Sequence, residues 1–461
     1  MVAVAHIGRL DSEFLAWGAP RDGVTPGDHL QAAYNLWLPG HQLEHGDAPW
    51  RDPYSFQPEA DPRTNFAGWP FGIVFWPLHA LLGTVGAWNV FVVLTYVGAG
   101  ALAALWLRAL GLSRVVSIAG GLAFALAPYR SAQTAGGHLL APISMLLPLA
   151  LYGIEARRVW LAAAALVSIP LAGQLHLALG VIPFFAAYAF VRRRAAAGLT
   201  AAATAVATGI AVYLAGIRGT TGASGRSFAQ VERYSAEPLD LVTRHARHGL
   251  ESFVFVGWLL PAVAIAGLVV VWTRNRGLAW LLGLGAAIPI LLALGGHTPL
   301  YEPLWHVVPG LRHTRVPERL LPIASLALAA LAAYGLSAVR WRYAAVVALA
   351  LVPLDLRVAA YTPLGSDEHN RVYATLQNLP SGRLLERPVY LPDRQEGSLY
   401  LYYVMQAPNE RPLGYSTTAP GIADVVARRL RRGDAREFHA LGVRYVVRFE
   451  DGVPTRLSTG S

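Results

Sequence analysis

Apolar stretches of near membrane-spanning length alternate along this chain with two kinds of polar loop. A bilayer core takes about 20 apolar residues at about 1.5 Å each. On that measure the pattern predicts ten spans, near 86–107, 115–129, 139–154, 159–175, 176–191, 199–217, 251–272, 277–295, 320–338 and 341–359. Several fall short of the full length, and the pair within 159–191 is the least regular. The stretch 70–84, WPFGIVFWPLHALLG, is apolar too, but it is short and two prolines interrupt it. It predicts an interfacial helix lying along the bilayer, because counting it as a span would invert every later loop. From about 361 the spans stop. SDEHNRVYATLQNL reads as helix, RLLERPVYLP and GVRYVVRF as short strands, ADVVARRLRR as an amphipathic helix, and GSLYLYYVMQ and RPLGYS as core strand and loop or as the lining of a groove.

The predicted fold is mainly α, a polytopic helical bundle of about ten spans with a small C-terminal α/β domain. Residues 1–85 form an acidic, Trp-rich first outer loop with its interfacial helix, 86–360 the membrane domain, and 361–461 the outer α/β domain packing over it.

The loops assign sidedness. Short ones carry Arg: Arg108 with Arg114, Arg157-Arg158, Arg192-Arg193-Arg194, Arg274 with Arg276, and Arg340 with Arg342. These face the cytoplasm by the positive-inside tendency. The longer loops hold nearly every acid and most His residues, so the chemistry falls on the outer face. Both termini then lie outside. Residues 1–69 are polar without a signal peptide or a first span, which suggests a start placed too far downstream and a missing first helix before Asp28; a true N-out protein is the alternative.

Composition agrees: 54% of residues are hydrophobic and 14% charged, with mean hydropathy +0.39, where soluble domains carry about a quarter charged residues. The net charge of +10 is all Arg, with no Lys. Orientation and anionic lipid account for it, so no nucleic-acid partner is expected. The absence of Cys excludes disulfides, thiolate metal sites and Cys nucleophiles. There is no GxxxxGK[ST], GxSxG or HExxH pattern, which leaves ATP-driven, serine-hydrolase and zinc-protease mechanisms without support. No cofactor is called for. A divalent cation, Mg or Mn, on first-loop carboxylates stays open, and no metal ligand is assigned. The Gly-rich stretches lie in apolar helices, where they permit close packing.

Nine acids lie in the first 61 residues and only five between 62 and 300. Six of the thirteen Trp occur by residue 88. Trp76 and Trp88 read as an interfacial belt; Trp37, Trp50 or Trp69 could instead stack on sugar rings. PYRSAQTAGGH supplies Arg130, Gln133 and His138, and GQLH supplies Gln174 and His176. Loop 218–250 supplies Arg226 and Tyr234, and the segment 295–319 supplies Arg312, Arg315 and Arg319. Each Arg alone could be a snorkelling or headgroup residue. Arg312, Arg315 and Arg319 recur at spacings of three and four, so a helical start places them on one face, suited to an anionic ligand.

In order, GDHLQAAYNLWL with Asp28, PYRSAQTAGGHLL with PLAL, ERYSAEPLDLV, ALGGHTPLYEPLWHVVPGLRHTRVPERLL, and GRLLERPVYLP, RPLGYS and LGVRYVV resemble segments of the GT-C superfamily of membrane glycosyltransferases, particularly its YfhO-type and related actinobacterial branches. The resemblance covers most of the chain and departs from the family at the missing first helix. It implies an enzyme of the bacterial plasma membrane that transfers a sugar, on the outer face, from a polyprenyl-phosphate donor in the lipid bilayer to an envelope glycan, lipid or protein. Asp28 is then the candidate general base, with Asp47 and Asp61 (and Asp52) as alternatives, or else a solvated loop acid or helix cap. Arg312, Arg315 and Arg319, then Arg130 and His138, are candidates for the donor phosphate. Trp37, Trp69, Tyr234 and His176 are candidates for substrate contact. The rival readings are a transporter or flippase of lipid-linked or polysaccharide precursors, and a non-catalytic assembly protein. Almost no charge lies mid-span and no internal repeat is evident, which argues against transport.

Overall fold

A computed structural model describes residues 9–21, 23–60, 63–220, 225–308, 310–341 and 343–459. Most of them are helical. After a short strand β1 (Glu13–Ala16), helix α1 (Asp28–Glu44) leads to α2 (Gly72–Ala109), α3 (Arg114–Ala125), α4 (Pro128–Ala135), α5 (Leu146–Glu155), α6 (Val159–Leu171), α7 (Leu175–Val191) and α8 (Ala195–Val212). A long irregular segment then precedes α9 (Leu259–Arg274), α10 (Arg276–Ala293), α11 (Leu321–Ala338) and α12 (Ala344–Leu356).

Among the described residues, four helices are long and apolar enough to cross a membrane: Gly72–Ala109, Ala195–Ile217, Arg276–Ala293 and Pro317–Ala338. A fifth arises if α3 and α4, bent by 46°, count as one. The other predicted spans form apolar helices of 10–17 residues, shorter than the about 20 residues of a straight crossing. Local breakers set these lengths. Gly173, at φ 73°, separates α6 from α7, and the chain before α9 is irregular up to Trp258, so the predicted 251–272 starts eight residues late. The predicted 70–84 and 86–107 lie in α2, which breaks at Gly83, φ 69°. The apolar faces stay exposed, as at Phe190, Ile265 and Val269. That belt is what a lipid-facing surface requires and water does not tolerate.

Helix α11 is the central post, buried along almost its whole length. It packs on α9, α10 and α3. A methyl group at Gly267 would meet the Leu331 carbonyl oxygen at 1.7 Å, so α9 and α11 cross at backbone contact. Two of the Arg loops meet past the end of α7. Arg192, past the end of α7, donates twice to Glu155 at 2.6 and 2.8 Å, and the Tyr188 hydroxyl donates to the same carboxylate at 2.5 Å. Helix α7, about 25 Å long, therefore separates this Arg end from its own beginning at Leu175 and His176.

The polar ends of the chain interlock. β1 pairs antiparallel with β2 (Thr362–Gly365), and α1 packs against α13 (Ser398–Gln406). GSLYLYYVMQ is thus a buried helix, not the expected strand. Its apolar and tyrosine residues are buried on all sides, and such a run carries no period to separate strand from helix. The strands β3 (Arg383–Arg387), β4 (Val443–Glu450) and β5 (Val453–Thr459) form one sheet in that order, parallel then antiparallel. α14 (Ala423–Arg431) covers one face of it through Val426 and Leu430.

Candidate functional site

Asp28 stands in the first turn of α1, where the helix dipole favours a negative charge. Its partner His138 arrives from the loop after α4. Gly137 has φ 82°, and a Cβ there would sit 2.1 Å from the His29 backbone nitrogen. Only glycine permits both that conformation and that approach. The AGGH turn therefore seats His138 Nε2 2.9 Å from Asp28 Oδ2. His138 Nδ1 lies 2.5 Å from Gln133 Oε1, which also accepts from Arg319 Nη1 at 3.4 Å. The Tyr415 hydroxyl donates to Asp28 Oδ1 at 2.5 Å, and Gln31 Nε2 donates to the Tyr415 carbonyl at 2.8 Å. Burial pushes the Asp28 carboxyl up, but the hydrogen bond and charge of His138, the Tyr415 hydroxyl and the charge of Arg319 outweigh it and hold its pKa down at about 2.

Two cavities flank this chain of contacts. One, about 490 Å³, is polar and includes Asp28, Gln31, Asn35, Arg63, His138 and Gln174 in its wall. The other, about 720 Å³, runs between α7 and α8 over Leu175, Leu179, Ile182, Val206 and Ile210. Its polar end carries Arg226, His313 and Arg315. His176, Arg319, Thr417 and Thr418 line both, so the two volumes meet there. One carboxylate, Glu251, serves two cations, at 3.4 Å from Arg315 and 3.7 Å from Arg319. Asp28 and Glu318 also face Arg319, and Arg226 and Arg315 are the guanidinium groups that line the apolar channel beside it.

The expected residues divide. Asp28, His138, His176, Arg315 and Arg319 converge on the two cavities. Arg312 does not line them; it lies over Trp305 at 5.8 Å and donates to the His306 carbonyl. The helical start that would align it with Arg315 and Arg319 does not form. Two separate turns, Leu311–His313 and Pro317–Leu320, flank extended residues, because the position before Pro317 is pushed out of the α region. Arg130 is buried, bonded to the Ala141 carbonyl at 2.6 Å and to the Ser144 hydroxyl, and stacked over Phe124. Asp47 is exposed and paired with Arg51 on its own segment. Asp52 is fully buried between Tyr34 and Arg63 at 2.6 and 3.0 Å. Asp61 lies outside the described residues. Trp37 is buried in a stack on His41, and the Trp69 indole donates to Ser168. Tyr234 lies beneath the Arg315 guanidinium, 5.2 Å from its ring centre.

Glu251 had no assigned part in the sequence reading, Tyr415 stood only within RPLGYS as loop or groove lining, and Gln133 was noted without a role. Only the five-residue step from Gln133 to His138 on one loop was a readable signal; Tyr415 is 387 positions from Asp28. Among the described residues, no group of three or more His, Asp or Glu side chains could hold a metal ion. Both Asp28 oxygens already accept hydrogen bonds, and the oxygen-rich set that Mg or Mn requires is not assembled around it.

No protein-family profile matches the chain, and no curated protein does. Several solved structures are similar. One is the archaeal oligosaccharyltransferase AglB from Archaeoglobus fulgidus in complex with an inhibitory peptide and a dolichol-phosphate: TM-score 0.49, 11% identity, covering 97% of this chain and 68% of that one. Another is the Archaeoglobus fulgidus oligosaccharyltransferase with Zn and sulfate: TM-score 0.47, 14% identity, 97% and 67%. A third is the arabinofuranosyltransferase AftD from Mycobacteria: TM-score 0.49, 16% identity, covering 93% of this chain but 36% of that one, so the chain spans about a third of its length.

Proposed function

We propose that this chain is a membrane glycosyltransferase of the GT-C type. It moves a sugar from a polyprenyl-phosphate donor to a cell-envelope acceptor on the outer face of the plasma membrane. One observation carries the reading: an apolar channel with a cationic end meets a polar cavity holding an ionised carboxylate, and Arg319 lies where they join. A lipid-linked donor has those three parts in that order: a hydrocarbon tail, a phosphate and a sugar.

The tail lies between α7 and α8, the phosphate against Arg315, Arg319 and Arg226, and the sugar in the polar cavity. The acceptor hydroxyl approaches Asp28. Its oxygen bonds to the anomeric carbon as the bond from that carbon to the phosphate oxygen breaks. The bonding pair leaves with the lipid phosphate, where guanidinium groups offset the developing charge. A carboxylate held near pKa 2 is a weak base, so it takes the hydroxyl proton late, once C–O bond formation has made that proton acidic. Direct displacement of this kind inverts the anomeric centre. His138 and Tyr415 hold the carboxylate in place.

The test is transfer by the purified chain in vesicles, with a panel of radiolabelled polyprenyl-phosphate sugars and envelope acceptors. Labelled acceptor that requires a lipid-phosphate donor is the expected result. Movement of intact labelled donor across the bilayer, without labelled acceptor, would make the chain a flippase and end this reading.

A further inference from the structure

The C-terminal sheet carries a row of like charges that its own packing does not explain. In register, Arg387 of β3 pairs with Arg448 of β4, and Arg448 pairs with Arg456 of β5. Residues paired across neighbouring strands share one face of a sheet, and like charges placed there repel. Two positions back along the same face, Leu385 and Val446 pack under Val426 and Leu430 of α14. The helix ends at Arg431, so its cover stops where the Arg row begins.

A cavity of about 820 Å³ opens at that point, lined among others by Arg387, Arg394, Arg431, Arg448 and Tyr390. Two acids, Glu396 and Glu450, also border it. Some arginines of this region are paired, Arg383 with Glu410 at 2.8 Å, Arg411 with Glu386 at 2.6 Å and Arg429 with Glu437 at 3.0 Å, while others, such as Arg436 and Arg444, make no ion pair among the described residues. Arg387, Arg394, Arg431, Arg448 and Arg456 make no ion pair among the described residues. The helix C-terminus accounts for Arg431, but no helix end accounts for the Arg row on the sheet.

We propose that this cavity binds an anionic saccharide, a glycan chain carrying uronate or phosphodiester groups. Guanidinium groups take carboxylate or phosphate by paired hydrogen bonds, the Tyr390 ring gives a sugar face a surface to stack on, and the volume is that of a small-ligand pocket. The site shares no lining residue with the Asp28 cavity. On the transferase reading it would hold the acceptor, but its occupancy does not depend on that reading.

The test is binding of oligogalacturonate to the full chain in phosphatidylcholine nanodiscs, with a neutral maltooligosaccharide as control. Oligogalacturonate should bind, weaken with salt, and outcompete the neutral sugar. An Arg387→Gln/Arg448→Gln double variant should bind about tenfold more weakly, whereas exposed Arg436→Gln should not change. The double variant's thermal midpoint should equal or exceed the parent's, since repulsion is relieved. A lower midpoint would make the row structural and overturn the proposal. So would binding to anionic phosphatidylglycerol vesicles alone, with no oligogalacturonate bound.

Discussion

The Tyr415 hydroxyl donates to Oδ1 of Asp28 at 2.5 Å, tying the C-terminal region to the first turn of α1 across 387 positions of sequence. It leaves Oδ2 to His138. The carboxylate is therefore held from both sides while its edge still faces the polar cavity.

Replacing Tyr415 with Phe removes one donor and leaves the ring. The Asp28 pKa should rise from about 2 toward its ordinary 3.8. A carboxylate depressed on folding contributes stability that is full above its unfolded pKa and lost as pH falls through its folded pKa. From 3.8 down to about 2, that contribution is about 2 kcal/mol. The variant should show a smaller drop in thermal midpoint between pH 5 and about pH 2 than the parent. An unchanged drop would place the depression elsewhere.

Asp28→Asn keeps the shape and loses the charge. Transfer should fall by about 10²–10⁴-fold, the range of general-base catalysis. The fold should survive, since the amide oxygen still accepts from His138 or Tyr415. Normal turnover in a folded variant would remove Asp28 from the chemistry.

Gly137→Ala tests the seating of His138. The added methyl group would press on the His29 backbone at 2.1 Å in a left-handed conformation, a strain of about 1–3 kcal/mol before any clash. The thermal midpoint should fall and activity should fall with it. Gly136→Ala, whose Cβ would meet the flexible tip of Leu250 at 2.9 Å and backbone no nearer than 3.4 Å, should be milder on both measures.

Arg319→Gln and Arg312→Gln should separate. Arg319 lines both cavities and Arg312 lines neither, so the first should cut kcat/KM for a lipid-phosphate donor by about 10²-fold and the second should leave it near the parent value. Equal losses would mean that long-range charge, not contact, recruits the donor.

The apolar runs located the helices because burial in lipid or protein is written residue by residue. Acid and Arg placement marked Asp28 and the 312–319 segment for the same local reason. Strand assignments for 383–387 and 443–450 and the helix at 423–431 were also legible, since alternation and a helical period survive in short polar segments. What tertiary structure decided lies between segments. The pairing of Asp28 with His138 depends on a backbone approach that only Gly137 allows. Its pairing with Tyr415 depends on α13 packing against α1, and α13 itself was read as a strand because its surface is buried all round. Arg312 parted from Arg315 and Arg319 because Pro317 breaks the helical start on which a spacing of three and four relies. The charge row of Arg387, Arg448 and Arg456 exists only once strand register is set. Residue type is a local property, whereas hydrogen-bond partners, cavities and like-charge contacts are set by which distant segments the packing brings within a few ångströms.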